Sequence, residues 1–398
     1  MYSIKELYKI GTGPSSSHTM GPAKATEEFL KRYPDVNKVK VVLYGSLALT
    51  GRGHLTDYII EKTILPRKCI IEFNIFDEQP HPNTLEFFGY KDNELVGHMV
   101  VYSVGGGAIK ILGESERELD KIYPLENMTQ IIRYVKDNDL TLPEYIDEIE
   151  GDGFDEYMER IYDVMFDCVT RGLENDGVLP GKLEVKRKAY RIFTEVSNDK
   201  DPYDLLRKRT MAFAYAAAEE NASGGLIVTA PTCGAAGVLP ACLKYAIELD
   251  LYEHHEIMEG LKVAGLIGNI VKENGSISGA EAGCQAEVGT ACSMAAAFLA
   301  YLDTKDIDIV ERAAEIALEH HLGLTCDPID GYVQIPCIER NAVAALRAID
   351  AAKLASYIGN TSSKISFDMV VETMLATGKD LHVNYRETSE GGLAKKYR

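Results

Sequence analysis

Apolar and polar positions follow two different periods along this chain, and the period changes near residue 150. Before that point, short runs of β-branched and aromatic residues are separated by Gly, Pro and Asn. Val39-Lys40-Val41-Val42-Leu43-Tyr44-Gly45-Ser46 reads as a buried strand. Cys69–Phe76, Thr84–Tyr90 and His98–Ser103 read as further strands, and Val104–Leu112 can run past Gly105-Gly106-Gly107 into another. Residues 1–10 read as a short helix, and a helix capped at Ser16 or Ser17 is expected to run to about Tyr33. From about Phe154, apolar residues recur at i, i+3, i+4 and i+7 over 154–173, 202–221, 237–249, 254–272, 285–303, 307–321, 338–357 and 364–376. This half is Ala-rich, has few β-branched runs, and reads as all-α. The expected architecture is an α+β domain over residues 1–125 with a small mixed or antiparallel sheet, a linker over 126–153, and an all-α domain over 154–398. There is no internal repeat and no low-complexity tract. The polar tail from Gly378 is expected to be partly loose.

Composition narrows the class. A chain of 398 residues has room for about two or three domains. The net charge of −19 and a pI near 5.0 argue against nonspecific binding to nucleic acid or an anionic membrane, for which a basic patch is the usual footprint. No run reaches the roughly 20 apolar residues of a membrane span. Met1-Tyr2-Ser3-Ile4-Lys5-Glu6-Leu7 has no apolar signal-peptide core, so a cytoplasmic location is expected. Eight cysteines in a reducing compartment suggest packing, catalysis or metal binding rather than a disulfide frame.

Three of those cysteines stand apart. Cys284, Cys326 and Cys337 each follow a turn-forming run rich in Gly or Pro and precede an apolar run. A thiolate at a helix start feels the positive end of the helix dipole, which lowers its pKa. Three such thiolates brought together would hold three corners of an iron–sulfur cluster and leave the fourth iron open. A lone buried cysteine is more often an apolar filler, and zinc is a rival, although the short CxxC pairs of structural zinc sites are absent. Cys69, Cys168, Cys242 and Cys292 lie inside strand or helix patterns and read as core.

Two loops carry further candidates. Gly11–Pro22 is rich in backbone-permissive residues and hydroxyls, and Ser15, Ser16, Ser17 and Thr19 at a helix start suit an anion. Ser223–Gly237 is a Gly- and Thr-rich loop between helices in which Thr229 and Thr232 can hold a carboxylate; tight helix packing is the rival explanation. Cys233 in this loop is a candidate fourth ligand or reactive thiol, with packing favoured. His18 and His54 each end a loop of Gly, Ser and Thr, and either can act as a general base near neutral pH. Gly51-Arg52-Gly53 lacks the third Gly and the acidic residue of a dinucleotide site.

Taken in order, these motifs resemble the iron–sulfur L-serine dehydratases (L-serine ammonia-lyases). The resemblance rests on Gly13-Pro14-Ser15-Ser16-Ser17-His18-Thr19-Met20-Gly21-Pro22, Tyr44–Leu47, Gly51–Asp57 and Tyr102–Gly107 in the first half. In the second half it rests on Thr229–Thr232, Ser278–Glu281, Gly283-Cys284-Gln285, Gly323–Pro328 and Val333–Asn341. It implies a [4Fe–4S] cluster on Cys284, Cys326 and Cys337 and an all-α catalytic domain. It also implies an N-terminal domain like the allosteric substrate-binding domains of some phosphoglycerate dehydrogenases, fused here into one chain. The implied reaction is deamination of L-serine to pyruvate and ammonia, a step of amino-acid catabolism toward gluconeogenesis. His54, then His18, would be the base, with Ser15, Ser16, Ser17, Thr19, Thr229 and Thr232 binding substrate. The expected partner is a small amino-acid substrate, with no nucleic acid and no membrane, in a homodimer. The alternatives are a related lyase or desulfidase acting on threonine or cysteine, and a cluster-free amino-acid sensor. This sequence departs from the family pattern in having no cysteine after Cys337, so self-capping of the open iron by a tail thiol is not expected. It also has Cys233 where a polar Asn is expected, Asp330 where a small residue is expected, and a shorter linker or tail.

Overall fold

The computed structural model describes residues 1–114, 119–196, 201–359, 361 and 363–397. The chain divides into two compact units. One comprises Thr12–Glu118 with Asp330–Tyr332; the other comprises Met1–Gly11, Leu119–Ile329 and Val333–Arg398. The first carries a mixed sheet with helices and the second is helical, as the two sequence periods imply.

In the sheet unit the strands lie in the order Lys68–Asn74, Lys38–Tyr44, Thr84–Lys91, Glu94–Gly105, Ala108–Ile111. The first two are parallel, with Val41 opposite Ile71. The remaining neighbours are antiparallel, placing Phe87 opposite both Val41 and Met99. The parallel pair needs a crossover, and the helix Thr56–Ile64 supplies it. Alternation puts Val39, Val41 and Leu43 on one face. There they join Leu85, Phe87, Met99 and Val101 beneath Ala25 and Phe29 of the helix Gly21–Arg32 and Ile59, Ile60 and Ile64 of the crossover helix. The packing is close enough that a Cβ at Gly89 would stand 2.7 Å from Val36 and 2.9 Å from the Phe29 ring.

The helical unit is built around Thr290–Thr304, in which every residue from Thr290 to Leu302 is buried. A helix that is apolar on all sides belongs in the interior. Its many alanines let Val238–Leu249, His254–Asn274, Ile307–Glu319 and Cys337–Ile358 pack around it. Similarly, a Cβ at Gly172 would overlap the Ala216 carbonyl on the neighbouring helix.

The expected helix over residues 1–10 does not form. Only Ile4–Glu6 make a single 3₁₀ turn, and Ile10–Thr12 pairs as a strand with Leu226–Val228. Tertiary bonds outweigh the local pattern: Glu150 accepts from Ser3 Oγ and from the Ile4 N–H at 2.6 Å each, and Asn269 Nδ2 donates to the Tyr2 carbonyl at 2.7 Å. Leu142–Glu150 is a helix started by a capping box between Thr141 and Glu144, a T-x-x-E signal visible in the sequence. The tail, expected to be loose, is folded through the short helix Gly392–Tyr397. Among the described residues no helix is long and apolar enough to cross a membrane.

Candidate active site

Within the helical unit, turns position the three candidate thiols. Gly283 adopts a left-handed conformation (φ +77°), and Cys284 follows it at the start of the π-turn Gln285–Gly289. Gln285 then clamps a second loop. Its Nε2 donates to the Ala282 carbonyl at 2.8 Å, and its Oε1 accepts from the Gly323 N–H at 2.9 Å. That loop leads to Cys326, whose N–H donates to Tyr385 O and whose carbonyl accepts from the Glu387 N–H, both at 2.8 Å. Cys326 therefore sits on an extended segment held by the tail, not at the helix start that its sequence context suggested. Cys337 does begin a helix, Cys337–Ile358, and Asn341 one turn later ties it to the Gly-rich loop. Asn341 Nδ2 donates to Gly234 O and Cys337 O at 2.8 Å, and its Oδ1 accepts from the Gly237 N–H at 2.9 Å.

These loops bring the thiols together. The Cys326 thiol is hydrogen-bonded to Cys284, and Cys337 lies within electrostatic reach of Cys284. The dipole expectation is not met for Cys326 and Cys337. Cys326 is pushed up by the bond to Cys284, by burial and by the charge of Glu287, while Cys337 is pushed up by burial and the charge of Cys284. Burial and like charges outweigh a helix terminus here. Arg340 is the cation acting on Cys284 and Cys337. Its guanidinium donates to Thr325 O at 2.7 Å and to Asp327 at 2.9 Å. Asp327 also accepts the Leu393 N–H at 2.8 Å, so the tail and Arg340 brace the Cys326 loop from two sides.

Glu287 was not singled out from the sequence. It lies one turn after Cys284, with Oε1 accepting from Thr232 Oγ1 at 2.9 Å and Oε2 standing 3.8 Å from Cys326 Sγ. Burial pushes its carboxyl up, against the hydrogen bonds from Thr232 and Cys326. The only sequence cue was one acid in an otherwise apolar run. Cys233, next to Thr232, is buried, and burial and the Glu287 charge push its thiol up. Thr232 thus faces the thiols through Glu287. Thr229 is turned to the N-terminal strand: its hydroxyl donates to Leu7 O at 2.6 Å and accepts from the Lys9 N–H at 2.9 Å.

The donor chemistry of this group fits an iron–sulfur cluster: three soft sulfur donors beside the Arg340 guanidinium. Among the described residues no three His, Cys, Asp or Glu side chains converge to hold a single ion. A cluster presents a different iron to each thiolate, so its ligands need not share one point.

Within the sheet unit, His18 and His54 stack with ring centroids 4.5 Å apart, and both are buried. The π-turn Ser16–Met20 carries His18; the turn before Thr56–Ile64 carries His54. Both His18 nitrogens meet hydroxyls: Nδ1 is 3.2 Å from Ser17 Oγ and Nε2 is 3.0 Å from Ser46 Oγ. His54 differs. A carbonyl can only accept, so the 3.1 Å contact with Thr50 O places the proton on Nδ1 and leaves a lone pair on Nε2. Burial lowers both pKa values, and the charge of His54 lowers that of His18 further. Gly331 stands beside His54 in the same unit: a Cβ there would be 3.8 Å from His54 Cε1. Ser15 and Thr19 serve the loop itself. Ser15 Oγ accepts from the His18 N–H at 3.2 Å, and Thr19 Oγ1 donates to the His54 carbonyl at 2.8 Å. Ser46 is the partner the sequence reading missed, although it lies in the quoted Tyr44–Leu47 motif.

Comparison with known proteins identifies the family. The serine dehydratase alpha chain family model matches residues 104–394, and the serine dehydratase beta chain model matches residues 3–66. The chain belongs to the serine dehydratase family. It is 40% identical to L-serine dehydratase 1 of Escherichia coli strain K12 over all of this chain and 99% of that protein. It is 39% identical to L-serine dehydratase of Haemophilus influenzae, with the same coverage. The Streptomyces coelicolor L-serine dehydratase is also 39% identical, over 98% of each chain. Serine dehydratases of this family generally depend on an iron–sulfur centre. Both matched regions, alpha and beta, lie in one chain here, which is the fused form of the family.

Proposed function

We propose that this serine dehydratase deaminates L-serine to pyruvate and ammonia, with a [4Fe–4S] cluster held by Cys284, Cys326 and Cys337. The observation that carries the reading is the meeting of these three distant thiols beside Glu287 and Arg340. When bound, such a cluster supplies a Lewis-acidic iron for the β-hydroxyl leaving group. His54 Nε2 is the first candidate base for the Cα proton, because its Nδ1–H is fixed by Thr50. His18 is second, because both its nitrogens already meet hydroxyls. As the Cα–H electrons form the Cα–Cβ double bond, the Cβ–O bond breaks and hydroxide leaves. The resulting aminoacrylate tautomerises to an imine, which water hydrolyses to pyruvate and ammonia. Ser16 remains the best placed of the loop hydroxyls to receive the substrate carboxylate, because Ser15 and Thr19 are bonded within the loop and Ser17 Oγ meets His18 Nδ1. A homodimer in the cytoplasm completes the proposal.

Anaerobic purification tests it, with iron content, visible absorbance and pyruvate formation from L-serine, L-threonine and L-cysteine measured together. About four irons per chain with serine as the best substrate is the expected result. Iron-free protein after reconstitution, or a preference for another amino acid, would overturn it.

A further inference from the structure

We propose that the outer face of the helix Cys337–Ile358 pairs with the same face of a second copy of this chain. The inference rests on the homodimer reading above and assigns its interface. This helix turns the usual pattern inside out. The side it buries is built of small residues, with Ala344, Ala345, Ala348, Ala351, Ala352 and Ala355 all buried. Its large apolar side chains lie on the opposite side: Val343 is 53%, Leu354 46% and Tyr357 81% exposed. Together with the exposed Arg347 and Asp350, they recur at steps of four, three, four and three residues. That is the spacing of a seam that meets another helix, whereas a solvated face is polar.

Charge and shape both name a second copy as the occupant. Two copies of one helix related by a perpendicular two-fold axis run antiparallel, and each contact occurs twice. With the axis between Ala348 and Ile349, Arg347 of each copy meets Asp350 of the other, and Val343 meets Leu354. One register thus pairs opposite charges with each other and apolar groups with each other. Among the described residues neither Arg347 nor Asp350 has an ion-pair partner in its own chain, and Arg347 Nη1 donates only to the His320 carbonyl, at 3.0 Å. The shape is self-complementary too. Asp350 and Leu354 line both of two grooves and form the ridge between them. One groove, of about 360 Å³, runs toward Tyr203 and Tyr245; the other, of about 180 Å³, runs toward Ile316 and Ala317. A ridge flanked by grooves packs against its own copy, ridge into groove. Tyr203 and Tyr357 at the rim are of the residue type that interfaces favour.

Sedimentation velocity of the full chain over a dilution series tests the inference, with far-UV circular dichroism on the same samples as the check of folding. Wild type should be a dimer. Arg347→Glu and Asp350→Arg each set like charges against each other twice, and each should weaken the dimer about tenfold or more. The double variant restores the pairing with its signs exchanged and should return the dissociation constant close to that of wild type. Leu354→Glu breaks the apolar seam without removing either charge. It should also weaken the dimer, and it decides the case if the charge variants do not fold. A dimer unchanged in the folded single variants, or a double variant no tighter than either single one, would overturn this interface while leaving the homodimer in place. Monomeric wild type would overturn the homodimer reading as well, and the face would then belong to a different partner.

Discussion

The two groups of reactive side chains are held in different ways. In the sheet unit, His18 and His54 are fixed by neutral partners drawn from a short span of chain. Ser17, Ser46 and Thr50 meet the rings, while Thr19 and Thr56 tie the carbonyls of His54 and His18. In the helical unit the loops around the thiols are fixed by neutral bonds of Gln285, Asn341 and Tyr385 and, in addition, by charged contacts, from Thr232 through Glu287 and Arg340 to Leu393. Neutral bonds leave an imidazole free to gain and lose a proton. Charged bonds brace loops that must hold their shape against mutual repulsion among acidic groups. The difference fits the proposed separation between a proton-handling group and a ligand-holding group.

The sharpest way to break that separation is His54→Ala. It should lower kcat about 10² to 10⁴-fold while leaving iron content unchanged, and a matching loss of iron would refute a purely proton-handling role. Gly279→Ala probes the other side. The added methyl overlaps Glu287 and crowds Cys326, at a cost of about 1–3 kcal/mol in an overpacked site. Reduced iron loading with the pH profile intact is expected, and normal iron content would show that the site yields more easily than its packing implies.

A pH profile sharpens the comparison further. Burial lowers the pKa of both histidines, so the neutral, basic form persists to lower pH than in a free imidazole. kcat/KM should therefore rise with pH along an acid limb that lies below about 6.5. An acid limb above that value would remove His54 from the role of base. The smallest effect is expected at Thr229. Thr229→Val breaks two bonds to the Leu7–Lys9 strand and should cost about 1–3 kcal/mol of stability with KM unchanged, read by chemical denaturation and steady-state kinetics. A raised KM would return Thr229 to the substrate contacts.

Period-2 runs and long 3.6-period runs made both fold classes legible, because alternation and amphipathic or fully apolar stripes are local consequences of burial. The sheet extends past Gly106-Gly107 as the pattern allowed, since both glycines take the left-handed conformation the turn needs. The first ten residues misled, because their bonds go to Glu150 and Asn269, far away in sequence. The tail misled for the same reason: its polar residues bond to the Cys326 loop, with Ser389 Oγ donating to Pro328 O at 2.6 Å.

The candidate residues divide along the same line. Sequence alone marked out the candidate side chains, because thiols and imidazoles stand out by type and by their turn-rich settings. It also determined the order of the loops that present them. Only the tertiary structure decided which hydroxyls remain available, which nitrogen of His54 keeps its lone pair, and that Glu287 faces Cys326. Those outcomes depend on partners more than 30 residues away for Thr229 and Glu287, and on the orientation of a single carbonyl for His54. Hydrogen-bond direction and carboxylate placement are set by three-dimensional neighbours, to which residue type and spacing are blind.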